Sequence, residues 1–302
     1  MRAIARTFFL ATLLALPAGP AAAHLRVVTT TTDLKALAEA VGGDRVEVES
    51  LTRGYQDPHN VEIRPSYMLK LSRADVFIRT GMDEDLWAIP IAEGARNRKV
   101  LPSSPTHIEA NRGVELLEIP TGKVDRSLGD IHVLGNPYYW MDPENIPQVT
   151  ADILEGLASA APQDRAVFER NRERFLAELR RLLPTWTKTL EPHRGAKLVT
   201  YHATWSYFAR RFGLRVVGYV EPKPGVPPTA AHLADLVRLM KAEGVKAIVI
   251  EPYYDRRIPE LVARDTGARL LVLPTSIGGV KGTETYFDLI SFITRQLSDA
   301  FK

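Results

Sequence analysis

Midway along the chain, the stretch DRAVFERNRERFLAELRRLLPTWTKTLEPH carries Phe168, Phe175, Leu179, Leu182, Trp186 and Leu190 at spacings of seven, four, three, four and four. Apolar side chains recurring at these intervals fall on one stripe of a helix, and the charged run RERFLAELRR supplies its solvated face. The stripe predicts a helix of about 25 to 30 residues. Pro184 lies inside it and predicts a kink or a tightened turn rather than an end, because the stripe continues beyond the proline. A helix of that length, rising about 1.5 Å per residue, is a stiff spine and not a flexible tether. The chain must therefore fold as something before the spine and something after it.

Both flanks alternate short apolar runs with helical patterns. Before the spine, LRVVTTT, DRVEVESL and DVFIRTG read as strands, and DLKALAEAVGG, RPSYMLKLSRA and DEDLWAIPIAEGA as helices, the last broken or started near Pro90. After it, AKLVTY, RVVGYV, KAIVIE and RLLVLP read as strands, with helical patterns at 204–211, 230–242, 259–265 and 286–301. Strands that alternate with helices pair in parallel through helical crossovers, which predicts an α/β fold of two lobes, each a parallel sheet with flanking helices. Residues 102–135 lack periodicity and are expected to form a loop with one strand at GVELLEI. The expected layout is a leader at 1–23, an N-terminal lobe at 24–162, the linking helix at 163–192 and a C-terminal lobe at 193–302.

The first residues, MRAIARTFFLATLLALPAGPAAA, combine two arginines, an apolar run and a small-residue end. That is the pattern of a cleavable secretory leader cut after Ala23, and the apolar run is shorter than the roughly 20 residues of a spanning helix. Of 39 basic side chains, Arg2 and Arg6 belong to the leader, which leaves 37 against 36 acidic ones. The near-neutral remainder, with no basic face carrying interleaved aromatics, argues against nucleic acid as a partner. The chain has no cysteine. It therefore has no disulfides, no lipid-bearing cysteine at the cleavage site and no thiolate ligands, so a metal site would have to use nitrogen and oxygen donors.

In open α/β sheets, ligands bind outside the carboxyl ends of the strands. His59 lies in the loop after the second predicted strand, in GYQDPHNVEIRPS, and His202 directly follows AKLVTY. Glu251 ends the AIVI run, and Thr275-Ser276 end RLLVLP. These loops predict one cleft between the lobes, lined by imidazole and carboxylate, a donor set that suits zinc, manganese or iron(II). Trp205, Tyr207 and Phe208 read as the packed side of a helix, and His107, His193 and His232 carry no assigned role.

Here a resemblance enters. DPHNVEIRPS, NPYYWMDPENI, TYHATWSYFARRFGL, EPKPGVPPTAAHLADLV and AIVIEPYYDRRIPELVARDTGARLLVL occur in the order and spacing found in the receptors of zinc- and manganese-importing ABC transporters. The likeness covers essentially residues 25–300, and that family joins two α/β lobes by one long helix. Its first and third metal histidines correspond to His59 and His202. Its second histidine corresponds to Tyr138 and its aspartate to Thr275, and a neutral phenol or hydroxyl binds divalent metal feebly. His132, six residues before Tyr138, and Glu251 are the candidates to fill those two places, giving His59, His132, His202 and Glu251 as the expected set. Asp130 and Glu62 are expected to orient imidazoles by hydrogen bonds.

The resemblance implies a periplasmic, monomeric binding protein, not a lipoprotein, that captures zinc (or manganese or iron) and delivers it to an inner-membrane ABC permease. One alternative is a binder on the same fold that has lost metal and holds another small ligand. Another is a metallohydrolase using His59 and His202 with Glu251 as base. The sequence lacks a His-Glu-x-x-His helix, a Gly-x-Ser-x-Gly elbow and a phosphate loop, so no enzyme is expected.

Overall fold

The computed structural model describes residues 24–122, 132–223 and 225–302. The leader expected at 1–23 and Asp130 lie outside these described residues.

The N-terminal half runs β1 (Leu25–Thr29), α1 (Thr32–Gly42), β2 (Val46–Ser50), α2 (Pro65–Arg73), β3 (Val76–Arg79), α3 (Ala88–Gly94), β4 (His107–Glu109) and α4 (Ile146–Ala160). After α5 (Arg165–Leu190) come β5 (Lys197–Thr200), α6 (Ser206–Phe212), β6 (Arg215–Tyr219), α7 (Ala230–Glu243), β7 (Ala247–Ile250), α8 (Arg257–Thr266), β8 (Arg269–Val272) and α9 (Tyr286–Phe301). The sheets are ordered β2-β1-β3-β4 and β6-β5-β7-β8, parallel throughout. The chain leaves β1 in one direction and returns on its other side as β3, which places a topological switch point between β1 and β3; β5 and β7 repeat it.

Local chemistry sets the elements. Thr31, in extended conformation, caps α1 by accepting the Leu34 N–H, and Gly43 at φ 58° stops the helix in a conformation that favours glycine. The all-buried runs VFIR of β3 and AIVI of β7 are strands covered on both faces.

The spine is one continuous helix that passes through Pro184 without ending. Phe168, Leu176, Leu179, Trp186 and Leu190 are buried along it, with Phe175 and Leu182 packed half-buried beside them. It lies against α1, α4 and α9, and the Trp186 indole N–H donates to Ser291 Oγ of α9 at 2.9 Å. One hydrophobic core therefore runs from Val27 and Leu37 through Phe168 and Trp186 to Trp205, Ile290 and Phe301, across both halves. Each such side chain contributes about 1.5–3 kcal/mol when fully buried, so the lobes share their main stabilising term. Smaller cores under α2 and α3, and under α7 and α8, cover the outer face of each sheet.

Polar contacts also cross between the lobes. Asp33 Oδ1 accepts the Ile277 N–H at 2.9 Å, and Thr32 Oγ1 donates to the Ile277 carbonyl at 2.8 Å. Arg211 of α6 grips buried Asp142 with two bonds, Nε to Oδ1 at 2.6 Å and Nη2 to Oδ2 at 3.1 Å. The loop after β2 passes so close to the 277–279 turn that a Cβ on Gly54 would sit 2.1 Å from the Ile277 carbonyl oxygen.

One expectation needs correction. GVELLEI is irregular, and the fourth strand of the first sheet is the short β4, His107–Glu109. The Leu117 backbone is satisfied by the Tyr207 hydroxyl (3.1 Å) and the Asn136 N–H (2.7 Å) instead of by a strand. Of the two forms expected for DEDLWAIPIAEGA, a helix broken or one started near Pro90, the second is found, with α3 beginning at Ala88. Before it, Met82 takes φ 58°, and the Asp85 carboxylate ties the turn by accepting from Thr80 N, Thr30 Oγ1 and Arg79. No helix among the described residues is long and apolar enough to cross a membrane.

Candidate metal centre

His59 sits in the loop between β2 and α2. Asp57 Oδ1 accepts the His59 N–H at 3.0 Å, and Asp57 Oδ2 accepts from Asn60 at 2.7 Å. This side-chain-closed turn is the local reason for the Asp-Pro-His sequence, since a short carboxylate can bond backbone two residues on. The His59 ring points into the gap between the lobes, where its Nε2 lies 2.8 Å from the Tyr138 hydroxyl.

His132 enters from the segment leading to α4. Its Nδ1 is 2.7 Å from Asp83 Oδ1, and Asp83 Oδ2 accepts the Val133 N–H at 2.7 Å. Although partial burial acts to raise it, the Asp83 carboxyl is held below the usual carboxylate range by its bond to His132. His202 follows β5 and is buried, with Nδ1 bonded to Glu221 Oε1 at the end of β6. Burial disfavours charge on this ring, yet the bond and charge of Glu221 outweigh it and raise its pKa above the ordinary histidine value.

The result is a cluster of three imidazoles. Ring centroids of His59 stand 5.0 Å from His132 and 5.3 Å from His202. One nitrogen from each of the three lies within 4.8 Å of the others, the one such group of potential ligands among the described residues. Each of His132 and His202 has one nitrogen engaged by a carboxylate, which leaves Nε2 for the gap and raises its basicity as a donor. Three nitrogen atoms at this separation are within reach of a single ion.

The remaining candidates fare differently. Tyr138 joins the cluster through His59, and burial pushes its hydroxyl well above the usual tyrosine range, so it is a neutral phenol. Glu251 stays outside the imidazole trio. Its Oε1 accepts from Thr204 Oγ1 and from the Trp205 indole at 2.9 Å, Oε2 has no hydrogen-bond partner, and burial raises its pKa to about 7. Thr275 is buried after β8 and contributes its carbonyl, which accepts the Trp140 indole N–H at 2.8 Å. Glu62 is not an orienting group: it is exposed and pairs with Arg64 at 3.2 Å. Away from the site, His107 is buried with Nδ1 2.7 Å from the Val100 carbonyl; His193 bonds Ser298 and His232 the Tyr219 carbonyl.

Sequence reasoning missed Asp83, Glu84 and Glu221. Glu84 is buried against the cluster, with Oε2 3.6 Å from His59 Nδ1 and 3.5 Å from His132 Nε2. Burial raises its pKa against the pull of both imidazoles. The strand-end rule that selected Glu251 also covers DED after β3 and VEP after β6, and that is the signal that could have found them.

Two parallel α/β lobes, locked to one long helix and presenting side chains from both into a narrow gap, define a helix-spined binding protein. Residues 27–300 match the family described as the zinc-uptake complex component A, periplasmic (ZnuA), and the chain belongs to that family. It is 26% identical over 293 residues to the high-affinity zinc uptake system protein ZnuA of Yersinia pestis, covering 93% of this chain and 92% of that one. It is 24% identical over 254 residues to the zinc-binding lipoprotein AdcA of Streptococcus pneumoniae, covering 82% of this chain; it spans about half, 49%, of that longer relative. The solved structure of the binding protein FpvC from Pseudomonas aeruginosa in complex with Mn2+ superposes with a TM-score of 0.76 at 25% identity, covering 92% of this chain and 98% of that one.

Proposed function

We propose that this protein is a periplasmic receptor that captures one divalent transition-metal ion and hands it to an inner-membrane ABC permease. Zinc is the leading cargo, and manganese and iron(II) are the other ions its nitrogen and oxygen donors suit. The observation that carries this is the meeting of His59, His132 and His202, one from the first lobe's β2 loop, one from the segment before α4 and one from the second lobe. His132 takes the place that the resemblance gave to Tyr138, whose neutral hydroxyl serves as a hydrogen-bond partner of His59. The zinc-related names of the Yersinia and Streptococcus relatives support the same cargo.

A carrier needs a site closed enough to retain an ion without presenting a reactive water, which separates this proposal from a hydrolase. The shared core and the spine limit hinge motion, so loading and release fall to the loops that bear the histidines. The protein acts as a monomer after removal of the leader at 1–23, with no lipid anchor.

Metal analysis of the purified protein after dialysis tests the proposal. The wild type retains about one zinc per chain, and that ion raises the melting temperature because it binds only the folded state. Replacing His59 and His202 together by alanine abolishes both effects. Unchanged metal content in the double variant would reject the site.

A further inference from the structure

We propose that Glu84 is the fourth donor of this centre, making it a three-imidazole, one-carboxylate set. The inference rests on the three-histidine site proposed above and deepens it. Glu84 lies in the turn after β3, at the topological switch point, on the opposite lobe from Glu251. Its side chain is completely shielded from solvent, and neither carboxylate oxygen has a hydrogen-bond partner.

A buried carboxylate without hydrogen bonds is costly, and the common resolution is a cation or a neutralising proton. The adjacent carboxylates show what a structural role looks like in this turn. Asp83 bonds His132 and the Val133 amide, and Asp85 bonds Thr30, Thr80 and Arg79. Glu84, between them, bonds nothing and faces two imidazole nitrogens.

Glu84, like Glu251, stands outside the 4.8 Å grouping of the three imidazoles, but unlike Glu251 it meets two of them at spacings that match coordination. A tetrahedral zinc with nitrogen and oxygen ligands at about 2.0–2.2 Å holds neighbouring donors about 3.3–3.6 Å apart. Glu84 Oε2 stands 3.6 Å from His59 Nδ1 and 3.5 Å from His132 Nε2. Those are the edges of such a tetrahedron and longer than an ordinary charged hydrogen bond. An ion drawn to this corner would have His202, across the gap, as the donor supplied by the other lobe. The charge matters too: a carboxylate restores the anionic ligand that Thr275 cannot provide.

Two variants, Glu84→Gln and Glu84→Asp, test this alongside the His59→Ala, His202→Ala pair. Zinc affinity is measured against a competing chelator, and cobalt(II) absorption reports the donor set. Glu84→Gln should weaken zinc by about 100-fold or more and shift the cobalt visible bands, because loss of a ligand exceeds the 10–100-fold typical of a supporting group. Glu84→Asp, which keeps the charge but withdraws the oxygen, should fall between. If Glu84→Gln binds zinc within about threefold of wild type with unaltered cobalt bands, Glu84 is no ligand. If the histidine pair also leaves binding intact, the fault lies in the three-histidine site itself.

Discussion

The indole N–H of Trp140, on the approach to α4, donates to the carbonyl of Thr275 beyond β8, 2.8 Å away. The Trp140 carbonyl in turn accepts the hydroxyl of Tyr286 at the start of α9 at 2.9 Å. One residue of the first lobe is thus bonded twice to the second, and its ring stands 5.4 Å from that of Tyr138, the partner of His59. Where the family resemblance places a ligand aspartate, this chain uses the backbone of Thr275 to hold the lobes together.

Replacing Trp140 by phenylalanine keeps an aromatic ring but removes the donor, stranding a buried carbonyl. The expected cost is about 1–3 kcal/mol, plus some lost packing. Urea unfolding checks it: the midpoint should fall, with little change in the slope that reports the surface exposed.

Gly54 lies where the loop after β2 meets the 277–279 turn of the second lobe. A methyl group there would press on the Ile277 carbonyl oxygen at 2.1 Å and the Gly279 nitrogen at 2.8 Å, both backbone atoms that cannot rotate away. Gly54→Ala should lower stability by about 1–3 kcal/mol through overpacking and move the His59 loop with it. Metal affinity should drop as well, which chelator competition would reveal.

Glu221 bonds His202 Nδ1 and also accepts the Gly225 N–H at 3.2 Å. Glu221→Gln removes the charge that fixes the ring, so zinc affinity should fall about 10–100-fold while the metal-free protein stays folded. Calorimetric titration decides it; an unchanged affinity would show that packing alone orients His202.

Asp33 gives a pH prediction. Burial raises its pKa from 3.8 to about 6, with the bonds to Ile277 and Ser276 opposing. Between those values the folded protein binds a proton that the unfolded chain has released. Stability contributed by Asp33 is therefore greatest below pH 4 and is lost as pH rises to 6, by about 3 kcal/mol. Asp33→Asn, which can still accept from Ile277, should remove this component. Melting temperatures of the two metal-free proteins would then diverge as pH climbs from 4 to 6, with the variant the more stable at 6.

Much of this was legible in the sequence because it is written in short-range periodicity. The apolar stripe from Phe168 to Leu190 specifies the spine, and the alternation of VFIR-type runs with amphipathic stretches specifies two parallel sheets; strand ends then point to the loops bearing His59 and His202. The family resemblance added the order of the ligand segments. Three tertiary facts had no such local signal. His132 is brought in by Asp83, 49 residues earlier in the chain. Glu62 is carried out to solvent although it lies only three positions after His59. Glu84 is buried between imidazoles because Asp85 and Met82 bend DED into a turn ahead of the helix that starts near Pro90. Periodicity records which face of an element avoids water, whereas the position of a single polar side chain depends on how distant loops pack, and only the folded chain decides that.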